Sequence, residues 1–290
     1  MTDRLLATCW TSAGNVRPGI TSDTSPHSIE ERIRAVAETG YTGIGIEYAD
    51  LAVARETIGL RAVRDLISDA GLASTEIEFL DDWFLTGDRR SVSDQRRRDL
   101  LDMAEVLGAH HVKVGAGRVG DNVSPDRLRE EFARLGEEAV AHGTRVAMEP
   151  GAFSMLADLD EAIDLILDVG DPNAGLIIDI WHLARTGYPY TRVSSRVPSW
   201  ALLGVEINDG AAHHGRDLLA DAFDNRLLAG SGDFRVPEFV EAVRNIGFEG
   251  PWGVENMSIQ HRKLDIHTAL TQAGEAVRSV LQPTGSKTSE

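Results

Sequence analysis

Eight times along this chain a short run of aliphatic, β-branched or aromatic residues gives way to a longer amphipathic stretch. That alternation restricts the fold more than any single motif. The runs are "RLLATCW", "YTGIGIEY", "LASTEIEFL", "HHVKVGA", "RVAMEP", "AGLIIDIWH", "ALLGVEIND" and "GPWGVEN", each bounded by glycine, proline or polar residues as strands are. Between them lie helical patterns such as "SIEERIRAVAETG" and "SPDRLREEFARLGEEAVAHG". Several end in glycine, the residue favoured just past a helix, and the second opens with a serine cap and a proline at the first helical position. Strand-then-helix units in series require parallel strands joined by right-handed crossovers, and eight of them close naturally into a (β/α)8 TIM barrel. The competing doubly wound open sheet is disfavoured, because no strand-to-helix turn carries a glycine-rich phosphate fingerprint. The expectation is therefore one α/β domain, a barrel over residues 1–281. After the sixth strand, "ARTGYPYTRVSSRVPSW" has two prolines and little periodicity, which predicts a short helix and irregular chain. The tail 282–290, "QPTGSKTSE", has no core residues and is expected to be disordered.

A chain of 290 residues with 42% hydrophobic content can bury a full core. No apolar run approaches the roughly 20 residues that span a bilayer, and the start "MTDRLLATCW" lacks the basic and apolar regions of a leader, so a cytoplasmic location is expected. The single cysteine, Cys9, excludes an internal disulfide framework and any multi-cysteine zinc or iron–sulfur site. A metal would have to be held by oxygen and imidazole. The net charge of -17, with lysine only at Lys113, Lys263 and Lys287, repels a phosphate backbone, so nucleic acid is not an expected partner.

In such a barrel the active site lies at the C-terminal ends of the strands. Strand 5 ends in Glu149, strand 6 in Asp179 and His182, strand 7 in Glu206 to Asp209, and strand 8 in Glu255. A lone strand-end glutamate more often serves a structural ion pair, and Glu206 could pair with an arginine such as Arg226. Carboxylates from four consecutive strands converging on one mouth, however, raise each other's pKa, and a divalent cation resolves that repulsion. The oxygen-rich set suits Mg2+ or Mn2+.

Three stretches carry a family resemblance: "MEP" on strand 5, "DIWH" on strand 6, and "GSGDFRVPEFVEAVRNIGFEGPWGVEN" leading into and through strand 8. With them the chain resembles the xylose-isomerase-like barrel superfamily of sugar phosphate isomerases and epimerases, whose relatives include inosose dehydratases, hydroxypyruvate isomerases and endonuclease IV. The resemblance implies one metal held from strands 5 to 8, here by Glu149, Asp179 and Glu255. Strand 7 departs from the pattern: "EIND" puts Glu206 where the family often has histidine and Asn208 where it has lysine. Glu206 is expected to point inward as the fourth ligand, Asp209 to orient a neighbouring group or the loop, and Val205 and Ile207 to face the helices. The resemblance further implies Glu149 and Glu255 as general base and acid exchanging protons through an enediolate. It gives His182 and Arg226 as binders of substrate oxygens. Lys113, at the end of strand 4, is a candidate to hold an anionic group.

The expected activity is that of a divalent-metal-dependent isomerase or epimerase acting on a small ketose, hydroxy-ketone or keto-polyol, with a homo-oligomer left open. A lyase on the same fold is the first alternative, and a non-catalytic sugar-binding or partner subunit the second. Gly151 in "EPG" replaces the base of dehydroshikimate dehydratases. Against endonuclease IV stand Glu206, the acidic charge, and Asp224, Asn225 and Arg226 at its Asp-x-His position. Trp10, Trp83, Phe84, Trp181 and Trp252 are each expected in the core more than on a substrate wall. His110 and His111 are expected to begin a strand at the barrel bottom, His213 and His214 to sit on a loop, and Glu47 and Glu78 to line the pocket or fix a loop.

Overall fold

A computed structural model describes residues 3–213 and 215–282. Apart from Gln282, the tail lies outside the described residues, as does His214. The eight strands are β1 (Leu5–Ala7), β2 (Gly43–Glu47), β3 (Ser74–Leu80), β4 (His111–Gly115), β5 (Val146–Glu149), β6 (Ala174–Asp179), β7 (Leu202–Ile207) and β8 (Trp252–Val254). They pair in sequence order, all parallel, and β8 closes on β1 with Leu5 opposite Trp252. The expected (β/α)8 barrel is the fold.

The helices form where the sequence caps them. Ser28 and Ser124 each accept a hydrogen bond from the backbone N–H three residues on, which satisfies a donor that the first helical turn leaves free. The proline-containing stretch after β6 holds short helices at Ile180–Thr186 and Tyr190–Arg196 and a 3-10 turn at Ser199–Ala201. That is more helix than its periodicity predicts, because Pro189 and Pro198 stand at caps, where proline costs little.

The main apolar core lies between the strands and the helices, and Val205 and Ile207 face it as the alternation predicts. Trp83, Phe84, Trp181 and Trp252 are also buried there. Inside the barrel, by contrast, the one separate apolar cluster among the described residues is Ala147, Ile177 and Leu203. Leu203 is the extra residue of an irregularity, since Leu176 pairs Leu202 while Ile177 pairs Gly204. Above this small plug the inward positions are polar. Below it His111, which begins β4, contacts Glu76 at 3.3 Å, and His110 Nδ1 lies 2.9 Å from His111 Nδ1. No helix among the described residues is long and apolar enough to cross a membrane.

Candidate metal and active site

Period-2 alternation puts Glu149, Asp179 and Glu206 at the inward-facing upper ends of β5, β6 and β7, and Glu255 follows β8 directly. One oxygen from each of these four carboxylates lies within 4.8 Å of the others, and Glu149, Asp179 and His182 form a second such set. The sequence-predicted ligands are thus brought together. Asp179, Glu206 and Glu255 are no more than 2% exposed, whereas Glu149 and His182 keep side-chain exposures of 13% and 14% at the mouth and stand 3.7 Å apart.

Two cations enter this cluster. Lys113 Nζ donates to Glu206 Oε1 at 2.5 Å and lies 3.3 Å from Glu78, 3.6 Å from Glu255 and 4.0 Å from Glu149. Lys113 is expected at the end of strand 4, as a candidate to hold an anionic group. Instead it sits mid-strand inside the barrel, 1% exposed, and its ammonium is taken up by the protein's own carboxylates. Arg226 Nη1 donates to Asp179 Oδ2 and Glu255 Oε2, both at 2.7 Å, while its Nε donates to the Ala222 carbonyl. Its guanidinium also lies over the Trp181 ring, 5.3 Å from the centroid.

Asp179 Oδ1 accepts from the Trp181 backbone N–H and from Asn208 Nδ2, at 2.8 and 2.7 Å. Asn208, at the family's lysine position, therefore orients a candidate ligand. Asp209 does what is expected of it for the loop, accepting from the backbone N–H groups of Gly210, Gly230, Gly232 and Phe234. A Cβ on Gly232 would fall 2.4 Å from Asp209 Oδ1, so glycine is what lets the loop backbone reach the carboxylate. Gly151 has a comparable role: a Cβ there would lie 2.3 Å from His182 Nδ1, and the Ala152 N–H points to that nitrogen at 3.2 Å. The imidazole fills the space a side chain at 151 would need.

Burial sets the protonation pattern. It raises the Glu206 carboxyl well above its usual range, with the Glu255 charge adding to it and Lys113 opposing. Burial likewise pushes Glu255 up to about 8 against the pull of Arg226 and Lys113. At Asp179 burial also disfavours the charge, but Arg226, His182 and the Trp181 N–H outweigh it and hold the carboxyl below its usual range. Burial lowers His182, favouring the neutral imidazole.

The residues fit a divalent cation. Glu206 Oε2 is enclosed without a hydrogen-bond partner, the carboxylates outnumber the cations that touch them, and the donors are hard oxygens with one imidazole at the edge. Beside the site two aromatic residues unrecognised in the sequence join Trp181: Phe153 stacks on Trp181 at 5.5 Å and on Phe223 at 6.4 Å, and lies edge-on to His182 at 6.3 Å. Phe153 sits in the loop after β5, where periodicity gives no directional signal, and Phe223 in the short helix Leu218–Asp224.

A family model described as xylose isomerase-like TIM barrel matches residues 33–279. An uncharacterized protein of Methanocaldococcus jannaschii is 26% identical over 174 residues, a match spanning 56% of this chain and 56% of that protein. The chain thus spans little more than half the length of that curated relative. Among solved structures, the IolI protein with a bound zinc atom superposes with a TM-score of 0.78 at 16% identity, covering 96% of this chain and 98% of that one. D-allulose 3-epimerase from Methylomonas sp., in complex with D-allulose, gives 0.69 at 18% identity, covering 96% and 98%.

Proposed function

This chain belongs to the xylose isomerase-like TIM barrel family, and from that premise we propose that it is a divalent-metal-dependent isomerase or epimerase of a small ketose or hydroxy-ketone. One observation carries the reading: oxygens of Glu149, Asp179, Glu206 and Glu255 gathered within 4.8 Å at the active end of the barrel. These four residues would hold the cation, Mn2+ or Mg2+ by the hardness of their oxygens. When bound, it supplies electrophilic stabilisation of the enediolate that forms as a proton leaves the carbon beside a carbonyl. Similarity to a sugar epimerase at the level of the fold agrees with this chemistry, and the site residues carry the claim.

The chain's own groups divide the work. Glu149, open to the mouth, takes the proton as general base. Glu255, the counterpart carboxyl after β8, supplies the proton as general acid. His182, beside Glu149, and Arg226 orient substrate oxygens. Lys113 compensates the charge of Glu206, so that the site tolerates a carboxylate on β7. Phe153, edge-on to His182 with ring centroids 6.3 Å apart, excludes water from the mouth.

The test is elemental analysis after Mn2+ loading and desalting, in wild type, Asp179→Ala and Glu206→Ala. About one Mn2+ per chain, lost in both variants, supports the site; no retained metal in wild type sinks the tight-site reading and favours a non-catalytic barrel. Ketoses incubated with the loaded protein in deuterated water should then acquire deuterium at the carbon beside the carbonyl. Release of water or an aglycone would assign the lyase alternative instead.

A further inference from the structure

We infer that Asp224 is a positioning residue, which pins the segment carrying Phe223 and Arg226 across the barrel mouth and so holds Arg226 against the carboxylates. This rests on the reading of that site as the ligand-binding one. Asp224 itself takes no part in the cluster, although it lies two residues from Arg226. Its carboxylate turns outward and joins two guanidiniums from other loops. Arg17, after β1, reaches it through Nε at 3.1 Å and Nη2 at 2.9 Å. Arg262, after β8, donates through Nη2 at 2.6 Å and through Nη1 to the Phe223 carbonyl.

Three loops that share no strand are thereby tied at one carboxylate. The side chains are half-sheltered, at 21% for Arg17, 14% for Asp224 and 10% for Arg262. Two guanidiniums in donor geometry on one partly buried carboxylate bind more firmly than an isolated surface pair. The backbone continues the tie: Asn225 bridges Ser258 in antiparallel register, and the Arg226 N–H donates to the Met257 carbonyl. The residues on either side then have fixed places. Phe223 stacks on Phe153, and Arg226 reaches Asp179 and Glu255. Asp179, Glu206 and Glu255 are buried beside this strap, so lifting it opens them to solvent.

Cys9 offers a reporter. It is the chain's only cysteine, fully buried beside Glu78 at the top of β1, and it lies in the same loop region as Arg17. The experiment compares wild type, Asp224→Asn and Asp224→Glu for three quantities: the rate of Cys9 alkylation by N-ethylmaleimide, the rate of Mn2+ release to a chelator, and Tm. Expected is an acceleration of both rates by about tenfold in Asp224→Asn, with Tm nearly unchanged and with most of the wild-type behaviour restored in Asp224→Glu. Unchanged rates in Asp224→Asn overturn the inference. So does a Tm that falls in step with the alkylation rate, or a glutamate variant as fast as the asparagine one, because either marks a merely structural residue. A wild type that retains no Mn2+ sinks the metal reading alone; Cys9 alkylation then decides the strap by itself.

Discussion

An ammonium enclosed by carboxylates is held by Coulomb attraction against a large desolvation cost, so removing it leaves buried charge and not simply a cavity. Lys113→Met should therefore destabilise the protein by about 3–5 kcal/mol, measured by urea unfolding in metal-free buffer. The double variant Lys113→Met with Glu206→Gln should recover more than half of that loss, since the hydrogen-bonded partner is neutralised along with the ammonium; equal losses in single and double variants would refute the pairing. A second buried carboxyl yields a pH prediction. Burial raises Glu47, at the end of β2, to about 8, although the Ala49 N–H opposes the shift. Its folded pKa lies above its unfolded value, so its contribution to stability is complete below about pH 4.5 and is lost as pH rises through about 8. Glu47→Gln keeps a neutral side chain at every pH. Its stability relative to wild type should climb between about pH 5 and pH 9, by a few kcal/mol at most, whereas a flat difference across urea titrations would contradict the burial of that carboxyl.

Between residue and fold, the segment after β7 is organised by a carboxylate that strand periodicity only points toward. Asp209 accepts four backbone N–H groups from residues 210–234, and Leu227 pairs with it in antiparallel register. Asp209→Ala strands those donors, for a cost of about 3 kcal/mol. The same change should speed amide exchange in residues 227–234 well beyond its effect on the strands, and uniform exchange across the barrel would argue against a local role. This element also marks where sequence reading stops. Glu149, Asp179, Glu206 and Glu255 are legible because alternation along a strand dictates which side chains point inward, and barrel closure brings the strand ends together. For Lys113 the strand is evident, but a contact across the barrel axis to Glu206, 93 residues away, has no local signature. Phe153 lies in a loop, whose backbone follows no period, while Phe223 and Asp224 end a helix of only seven residues, Leu218–Asp224, too short for a periodic signal; only the folded chain brings Arg17 and Arg262 to the same carboxylate.

Across the whole molecule, a net charge of -17 makes self-repulsion a general term, distinct from the local repulsion at the barrel mouth. Salt and divalent cation should separate the two. Monovalent salt screens charges beyond a Debye length of about 10 Å at 0.1 M, so raising NaCl from low concentration should raise Tm modestly in wild type and in Asp179→Ala alike. Mn2+ at a hundredfold excess over its dissociation constant adds about 2.7 kcal/mol to the native state alone, which for a chain of this size corresponds to several degrees. That increment should appear in wild type at constant ionic strength and vanish in Asp179→Ala, because the variant loses a ligand but almost none of the global charge. Scanning calorimetry on the four combinations distinguishes the outcomes. An Mn2+ shift of equal size in both proteins would mean that the cation acts on the acidic surface as a whole, and the carboxylates at the ends of β5 to β8 would then be an ion-paired network closed by Lys113 and Arg226.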